Sequence, residues 1–194
     1  MRDDRVTDAL MEVRGLTVSY PVPGGTVTPV RDLSFRIGAR EVVGLVGDAG
    51  AGKSTAALAL LGLARPPGRI ERGEVIFGGR DLLTLPEDEL RAVRGRDIGI
   101  IVQNPRAALN PMLRVGRQIG NAWSAHNAGT DREAKARAVE MLRMVGINDP
   151  ERRADAFAHE LSGGMAQRAL IAMSLSSRPR LLIADGPTSG LGVP

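Results

Sequence analysis

No cysteine occurs anywhere in the 194 residues, so neither a disulfide framework nor a thiolate metal site is open to this chain, and a reducing setting is compatible with it. Lysine is nearly absent too. Of 26 basic residues only Lys53 and Lys135 are lysines, and the arginines that make up the rest are scattered among 22 acids. They read as a solvated surface with a formal net charge of +4, which gives no reason to expect a nucleic-acid partner. The opening MRDDRVTDAL lacks the apolar centre of a secretion signal, and the longest strongly apolar run, residues 56–64, is far shorter than the roughly 20 residues that cross a bilayer. A soluble chain is expected, acting at a membrane only through partners. What is present is ordinary globular composition, 43% hydrophobic and 25% charged, sufficient for one α/β core with a smaller appended part.

One of the two lysines sits in the most informative stretch, residues 41–64. An apolar run (Val42, Val43, Leu45, Val46) reads as a strand, and an Ala/Leu-rich segment of high helix propensity follows. Between them lies Gly47-Asp48-Ala49-Gly50-Ala51-Gly52-Lys53-Ser54-Thr55, which fits G-x-x-x-x-G-K-[ST]. Glycines in that pattern let consecutive N–H groups turn inward around a β-phosphate, and the helix N-terminus presents its positive dipole end to it. Lys53 is expected to bridge the β- and γ-phosphates and Ser54 to hold Mg²⁺.

The remaining chain arranges itself around that loop. Residues 11–20 alternate as a strand ending at Tyr20, the only tyrosine, and PVPGG separates it from a second extended stretch at 26–37, so an antiparallel pair is expected. Tyr20 is placed to stack on a purine or simply to pack as a half-buried strand residue. Gly73–Arg80 reads as a short strand closed by a Gly-Gly turn. Thr84-Leu85-Pro86-Glu87 has capping-box spacing ahead of a short helix. The strand predicted over 97–102 delivers Gln103 at its carboxyl end, where open α/β sheets bind ligands. Residues 115–160 turn helical, with a capping box at Thr130–Glu133, an inward face of Ala138, Met141, Leu142 and Val145, and a stop at Gly146. Trp123, His126 and His159 fall in or beside that block and read as packing or surface, since no metal-like cluster surrounds them. Leu161-Ser162-Gly163-Gly164-Met165-Ala166-Gln167-Arg168 then opens a helix with Ser162 as N-cap, a second helix end suited to an anion. Finally the strand predicted over 180–184 ends in Asp185, positioned to order Mg²⁺ through water.

Together these residues resemble the ATP-binding subunit of ABC transporters over essentially the whole chain. GDAGAGKST is similar to the Walker A loop, LLIAD to Walker B, Gln103 to the Q-loop glutamine and LSGGMAQR to the signature motif. The resemblance implies a P-loop NTPase of α/β class: an antiparallel β part at 11–40, a parallel-sheet core at 41–110 and 161–194, and a helical insert at 111–160, with C-terminal strands missing. It implies ATP held by residues 47–55, with Tyr20 stacking the adenine and Mg²⁺ near Ser54, Gln103 and Asp185. It also implies a second ATP-binding subunit whose Ser162, Gly163, Gly164 and Gln167 close on the nucleotide, so that ATP joins a head-to-tail dimer and hydrolysis releases it. VQNPRAALNPMLRVGRQI, with HELSGGMAQR, is similar to the subgroup that energises dipeptide, oligopeptide and nickel uptake. That subgroup implies integral membrane permease subunits, an extracytoplasmic solute-binding protein acting indirectly, and a peripheral place on the cytoplasmic face of the membrane.

The chain departs from the family after Walker B. Where the family has a glutamate followed by P-T-S-A-L-D, this chain has Gly186-Pro187-Thr188-Ser189-Gly190-Leu191-Gly192. The glutamate orients or deprotonates the attacking water, and Gly186 has no side chain for the task; losing a general base costs about 10²- to 10⁴-fold in rate. Gly192 replaces an aspartate that couples the two sites of the dimer, and neither histidine follows Asp185 to supply the family's switch histidine. Nucleotide binding is therefore expected to outlive hydrolysis, and an unpaired sheet edge is expected at the missing strands.

Overall fold

The computed structural model describes residues 9–186, apart from the side chain of Arg106. The described residues divide into two compact units, one ending at Leu90 and one beginning at Arg91.

The first unit is built on an antiparallel sheet in the order β2-β1-β3-β4. Strands β1 (Ala9–Val22) and β2 (Gly25–Gly38) form the expected hairpin across the turn at 23–24. With neighbours on both edges, β1 is the core strand. It buries Met11 and Val13, then shifts parity and buries Leu16 and Val18. The shift comes from an irregularity in register between Val13 and Leu16, where Gly15 absorbs the extra residue at φ +58°. On the other side β3 (Arg69–Phe77) crosses so close to β1 that a Cβ on Gly73 would lie 2.5 Å from the Leu16 Cα. The Gly78-Gly79 turn leads to β4 (Arg80–Asp81), and the Asp81 carboxylate accepts from the Val75 and Leu83 N–H groups at 3.0 and 3.1 Å. Helix α1 (Lys53–Ala59) follows the glycine loop and turns Ala56 and Ala59 inward.

Two local expectations fail in this unit. Residues 41–46 form no strand: they join no ladder, and Val42 and Val46 are 97% and 94% exposed. Strand propensity expresses itself only when a neighbour takes up the backbone hydrogen bonds, and no described strand does so here. Thr84 also does not stand directly before a helix. It ends a 3-10 turn and donates its hydroxyl to the Asp81 carbonyl at 2.9 Å, while α2 (Glu87–Val93) begins beyond Pro86.

The second unit pairs β5 (Ile98–Ile101) with β6 (Leu181–Ala184) in parallel, with Ile98 opposite Leu181 and Ile101 opposite Ala184. Both strands arrive where the apolar runs predict. Between them come α3 (Pro105–Ala108), α4 (Val115–Ser124), α5 (Asp131–Met144), α6 (Pro150–Ala154) and α7 (Gly163–Leu175). Their shared core includes Val115, Ile119, Ala138, Met141, Leu142, Leu161, Ala166 and Ala169. The capping box at the start of α5 is complete: Thr130 Oγ1 accepts from the Glu133 N–H at 3.3 Å, and Glu133 Oε2 accepts from the Thr130 N–H at 2.7 Å. Gly146, at φ +73°, ends that helix. The Ser174 hydroxyl ties α7 to β5 through the Ile100 carbonyl at 2.7 Å.

Candidate functional site

Each unit carries chemistry-bearing residues of its own. In the first unit, residues 47–55 form a compact loop, with Ala51 N–H bonded to the Asp48 carbonyl at 3.1 Å and Ala56 N–H to the Gly52 carbonyl at 2.8 Å. Gly50 and Gly52 hold φ of +81° and +91°, a conformation side-chain-bearing residues rarely adopt. At Gly52 space is as demanding as conformation: a Cβ would stand 2.3 Å from the Pro29 carbonyl oxygen on β2. The loop is thereby wedged against the sheet. Lys53 folds over it, and Nζ donates to the carbonyls of Gly47 and Asp48, both at 2.7 Å. The cation is thus parked on the loop it belongs to, while Ser54 beside it is exposed and Thr55 half-buried. A cavity of about 190 Å³ adjoins the loop, bounded by Pro29, Leu45, Val46, Gly52, Lys53 and Ala56.

Tyr20 stands at the end of β1, half-buried, its phenol end laid directly over Gly68. Sequence reasoning singled out Tyr20 but missed Gly68 and Pro29, whose parts are played by a bare α-carbon and a main-chain carbonyl and leave no motif.

In the second unit Asp185 follows β6, and its N–H bonds to the Ile101 carbonyl at 2.8 Å, so Asp185 and Gln103 come off the same ends of two paired parallel strands. Gly186 completes this group: a Cβ placed on it would lie 3.3 Å from Gln103 Cγ, and its φ is +60°. Residues 187–194, including Gly190 and Gly192, lie outside the described residues. Ser162 caps α7 as expected, its hydroxyl accepting from the Met165 N–H at 3.3 Å, and Gly163 and Gly164 in the first turn are half-buried. Gln167 behaves differently from these three. It is fully buried, and neither amide atom has a hydrogen-bond partner, because the 3.6-residue period places it on the inward stripe with Ala166 and Leu170. In this conformation it belongs to the core rather than to the exposed helix end.

Trp123 packs its ring over Gly129, and Phe157 stacks on His159 with centroids 5.7 Å apart. Among the described residues no three His, Cys, Asp or Glu side chains gather as metal ligands, and no helix is long and apolar enough to cross a membrane. Oxygen donors of another kind are present in each unit by itself: the Ser54 hydroxyl in the first, and the Gln103 amide and Asp185 carboxylate in the second, are hard ligands of the sort Mg²⁺ takes a few at a time beside phosphate oxygens.

A lysine-bearing glycine loop that opens a helix, with a carboxylate and an amide at parallel strand ends, defines a phosphate-loop nucleotide-binding protein. The chain belongs to the ABC transporter family, whose model matches residues 30–189. It is 46% identical to the oligopeptide transport ATP-binding protein OppD of Bacillus subtilis over 97% of this chain and 53% of that protein. Against OppD of Escherichia coli it is 45% identical over 96% and 55% of the two chains, and against the dipeptide transport ATP-binding protein DppD of Haemophilus influenzae 44% over 95% and 56%. It therefore spans about half the length of these relatives. Its backbone is similar to the dimeric bacterial ABC transporter cassette MJ0796, with a TM-score of 0.84 at 27% identity over 93% of this chain and 75% of that one. A second MJ0796 structure is in a post-hydrolysis state bound to ADP and Pi. The fold is that of an ABC cassette, an antiparallel sheet accompanied by a parallel one and a helical segment.

Proposed function

We propose that this chain is the ATP-binding subunit of an ABC importer, taking MgATP at a dimer interface to energise uptake of peptides or a related small solute. The observation that carries this reading is the loop itself: two left-handed glycines, a helix start, and the Lys53 ammonium held 2.7 Å from two loop carbonyls. Those two bonds are replaceable. A triphosphate entering the loop offers Lys53 charge-assisted partners in place of neutral carbonyls, and such bonds are about twice as strong. The loop N–H groups and the start of α1 take the β-phosphate, Tyr20 stacks the adenine, and Ser54 supplies an oxygen that suits Mg²⁺, whose charge offsets that of the phosphates; within the second unit Gln103 and Asp185 carry oxygens of the same kind.

The partners follow from the same reading. A second ATP-binding subunit, a copy or a relative, presents Ser162, Gly163 and Gly164 at the capped start of its α7, and permease subunits in the membrane carry the solute received from an extracytoplasmic binding protein. The printed functions of the oligopeptide and dipeptide relatives support the substrate class. The chain sits on the cytoplasmic face of the membrane, held there by the permease.

A second reading has its own support. Gly186 offers no general base, and its φ of +60° is a conformation that a glutamate would occupy only under strain, which favours a subunit that binds nucleotide and turns it over slowly. One experiment separates the readings from each other and from neither. MgATP is titrated calorimetrically into the parent chain and Lys53→Ala, and phosphate release is followed on the same samples. Binding in the parent, weakened at least about tenfold in the variant, supports the nucleotide site. Phosphate release then distinguishes an ATPase from a binding module, and equal affinity in the two proteins overturns both.

A further inference from the structure

We propose that Gly68 is a positioning residue that seats the Tyr20 ring for the nucleotide base, an inference that rests on the nucleotide-binding reading. The register of β1 and β3 runs Val18 to Ile70 and Ser19 to Arg69, so its next step sets Tyr20 against Gly68. Gly68 closes the turn Arg65-Pro66-Pro67-Gly68, its N–H bonded to the Arg65 carbonyl at 2.7 Å. A Cβ on Gly68 would stand 2.5 Å from Tyr20 Cζ and 2.6 Å from Cε1, with the Arg65 carbonyl oxygen at 2.8 Å. Its φ does not lie in the left-handed region, so the backbone itself makes no demand for glycine. The demand is for space, and the ring takes most of it. Two consecutive prolines stiffen the turn under the ring, so the seat has little freedom to follow any displacement.

A seat of this kind acts through the ring and not on the phosphates, and that gives it a distinctive readout. ATP and inorganic tripolyphosphate are titrated against the parent, Gly68→Ala, Tyr20→Ala and the double variant, with thermal melts of each. Tyr20→Ala is expected to weaken ATP about tenfold and leave tripolyphosphate unchanged, as removal of one base-stacking ring does. Gly68→Ala, which forces the ring aside, is expected to reproduce most of that loss with the same indifference to tripolyphosphate. In the Tyr20→Ala background the added methyl is expected to have no further effect on ATP, although part of its cost in Tm remains because the Arg65 carbonyl is still in its way. Unchanged ATP affinity in Gly68→Ala, an equal loss for both ligands, or an undiminished loss in the double variant overturns the proposal. If Tyr20→Ala itself leaves ATP binding unchanged, the stacking role fails, and the proposal with it, while the Lys53→Ala result stands separately. Should Gly68→Ala fail to fold, Pro67→Gly loosens the seat without adding an atom; it is expected to give the same ATP-only loss at smaller amplitude, and no loss there also overturns the proposal.

Discussion

Replacing Gly52 by alanine tests the phosphate loop where its geometry is most constrained. Two costs arise from one methyl. The first is conformational: at φ +91° a residue with a Cβ pays about 1–2 kcal/mol relative to the ordinary helical region. The second is steric, because the methyl would sit 2.3 Å from the Pro29 carbonyl oxygen, about an ångström inside ordinary contact, and 3.2 Å from its Cβ. Pro29 lies on β2 between Val30 and Val27, which pair with Val18 and Tyr20 of β1, so the strand is tied on either side of the clash and the loop is expected to give way. A retreat of about an ångström moves the N–H groups that would face a phosphate and draws Lys53 off its two carbonyls. Gly50→Ala is the matching control, since Gly50 shares the positive φ, +81°, but has nothing within 4 Å of a Cβ. Its loss is confined to backbone strain, so ATP affinity falls by about tenfold or less. Gly52→Ala adds the clash and is expected to weaken ATP by on the order of 100-fold, with tripolyphosphate affected equally. Calorimetric titration of both ligands against both variants gives the comparison. Equal small losses at positions 50 and 52 would refute the view that β2 holds the loop in its binding shape.

Two further expectations concern the second unit. Gly186→Glu is expected to lower stability by about 1 kcal/mol through its left-handed φ, with the Cβ at 3.3 Å from Gln103 Cγ tolerated by a flexible side chain, and to raise single-turnover phosphate release by about 10²- to 10⁴-fold at unchanged ATP affinity. No rise in release would show that the absent carboxylate is not what limits the chain. Thr130→Ala removes the cap of α5 and is expected to lower Tm by about 2–4 °C. The Thr130 N–H, and then its hydroxyl, hold the Glu133 carboxyl below the usual carboxylate range, so its contribution is full above the unfolded value and is lost as pH falls through the lowered one. A melting series from neutral pH into the acid range should therefore show the parent's advantage over the variant shrinking, and a gap that widens on acidification contradicts the sign.

What the sequence discloses well is whatever is settled within a few residues. The Thr130–Glu133 box, the Ser162 cap, the Gly146 stop and the hairpin around residues 23–24 rest on contacts no more than one turn away, and each appears as its residues predict. Segment 41–46 has equally good local credentials and forms nothing, because a strand is a relation to another strand and its ladder partner is not written beside it. Gln167 shows the same boundary from the other side. The motif sets it three residues past Gly164, but whether it faces the helix end or the core is decided by the stripe of α7 that the other helices cover. Gly68 and Pro29 were invisible for a related reason: each contributes through a contact with an element 23 or more positions away, and no residue-type pattern marks it.

This division between near and far bears on the two readings proposed for the chain. The phosphate grip is assembled almost wholly from short-range parts: the bond from Ala51 to Asp48, the helix-opening bond from Ala56 to Gly52, and Lys53 reaching five and six residues back. Its one distant support is β2 at Pro29, part of the same unit, on a strand paired to β1 on either side of that residue, at Val30 and Val27. None of these contacts involves a ladder to residues 41–46, so the exposed apolar run there does not undo the grip. Hydrolysis, on the proposed reading, would depend on residues of the other kind, a base at 186 and oxygens at the ends of β5 and β6, whose value would lie in their aim at a reacting water. Removing the base raises the barrier by about 3–5 kcal/mol without touching a single bond in the loop. On the proposed reading, binding and turnover are expected to be separable because they draw on residues of different sequence range, and Lys53→Ala and Gly186→Glu are expected to move one without the other.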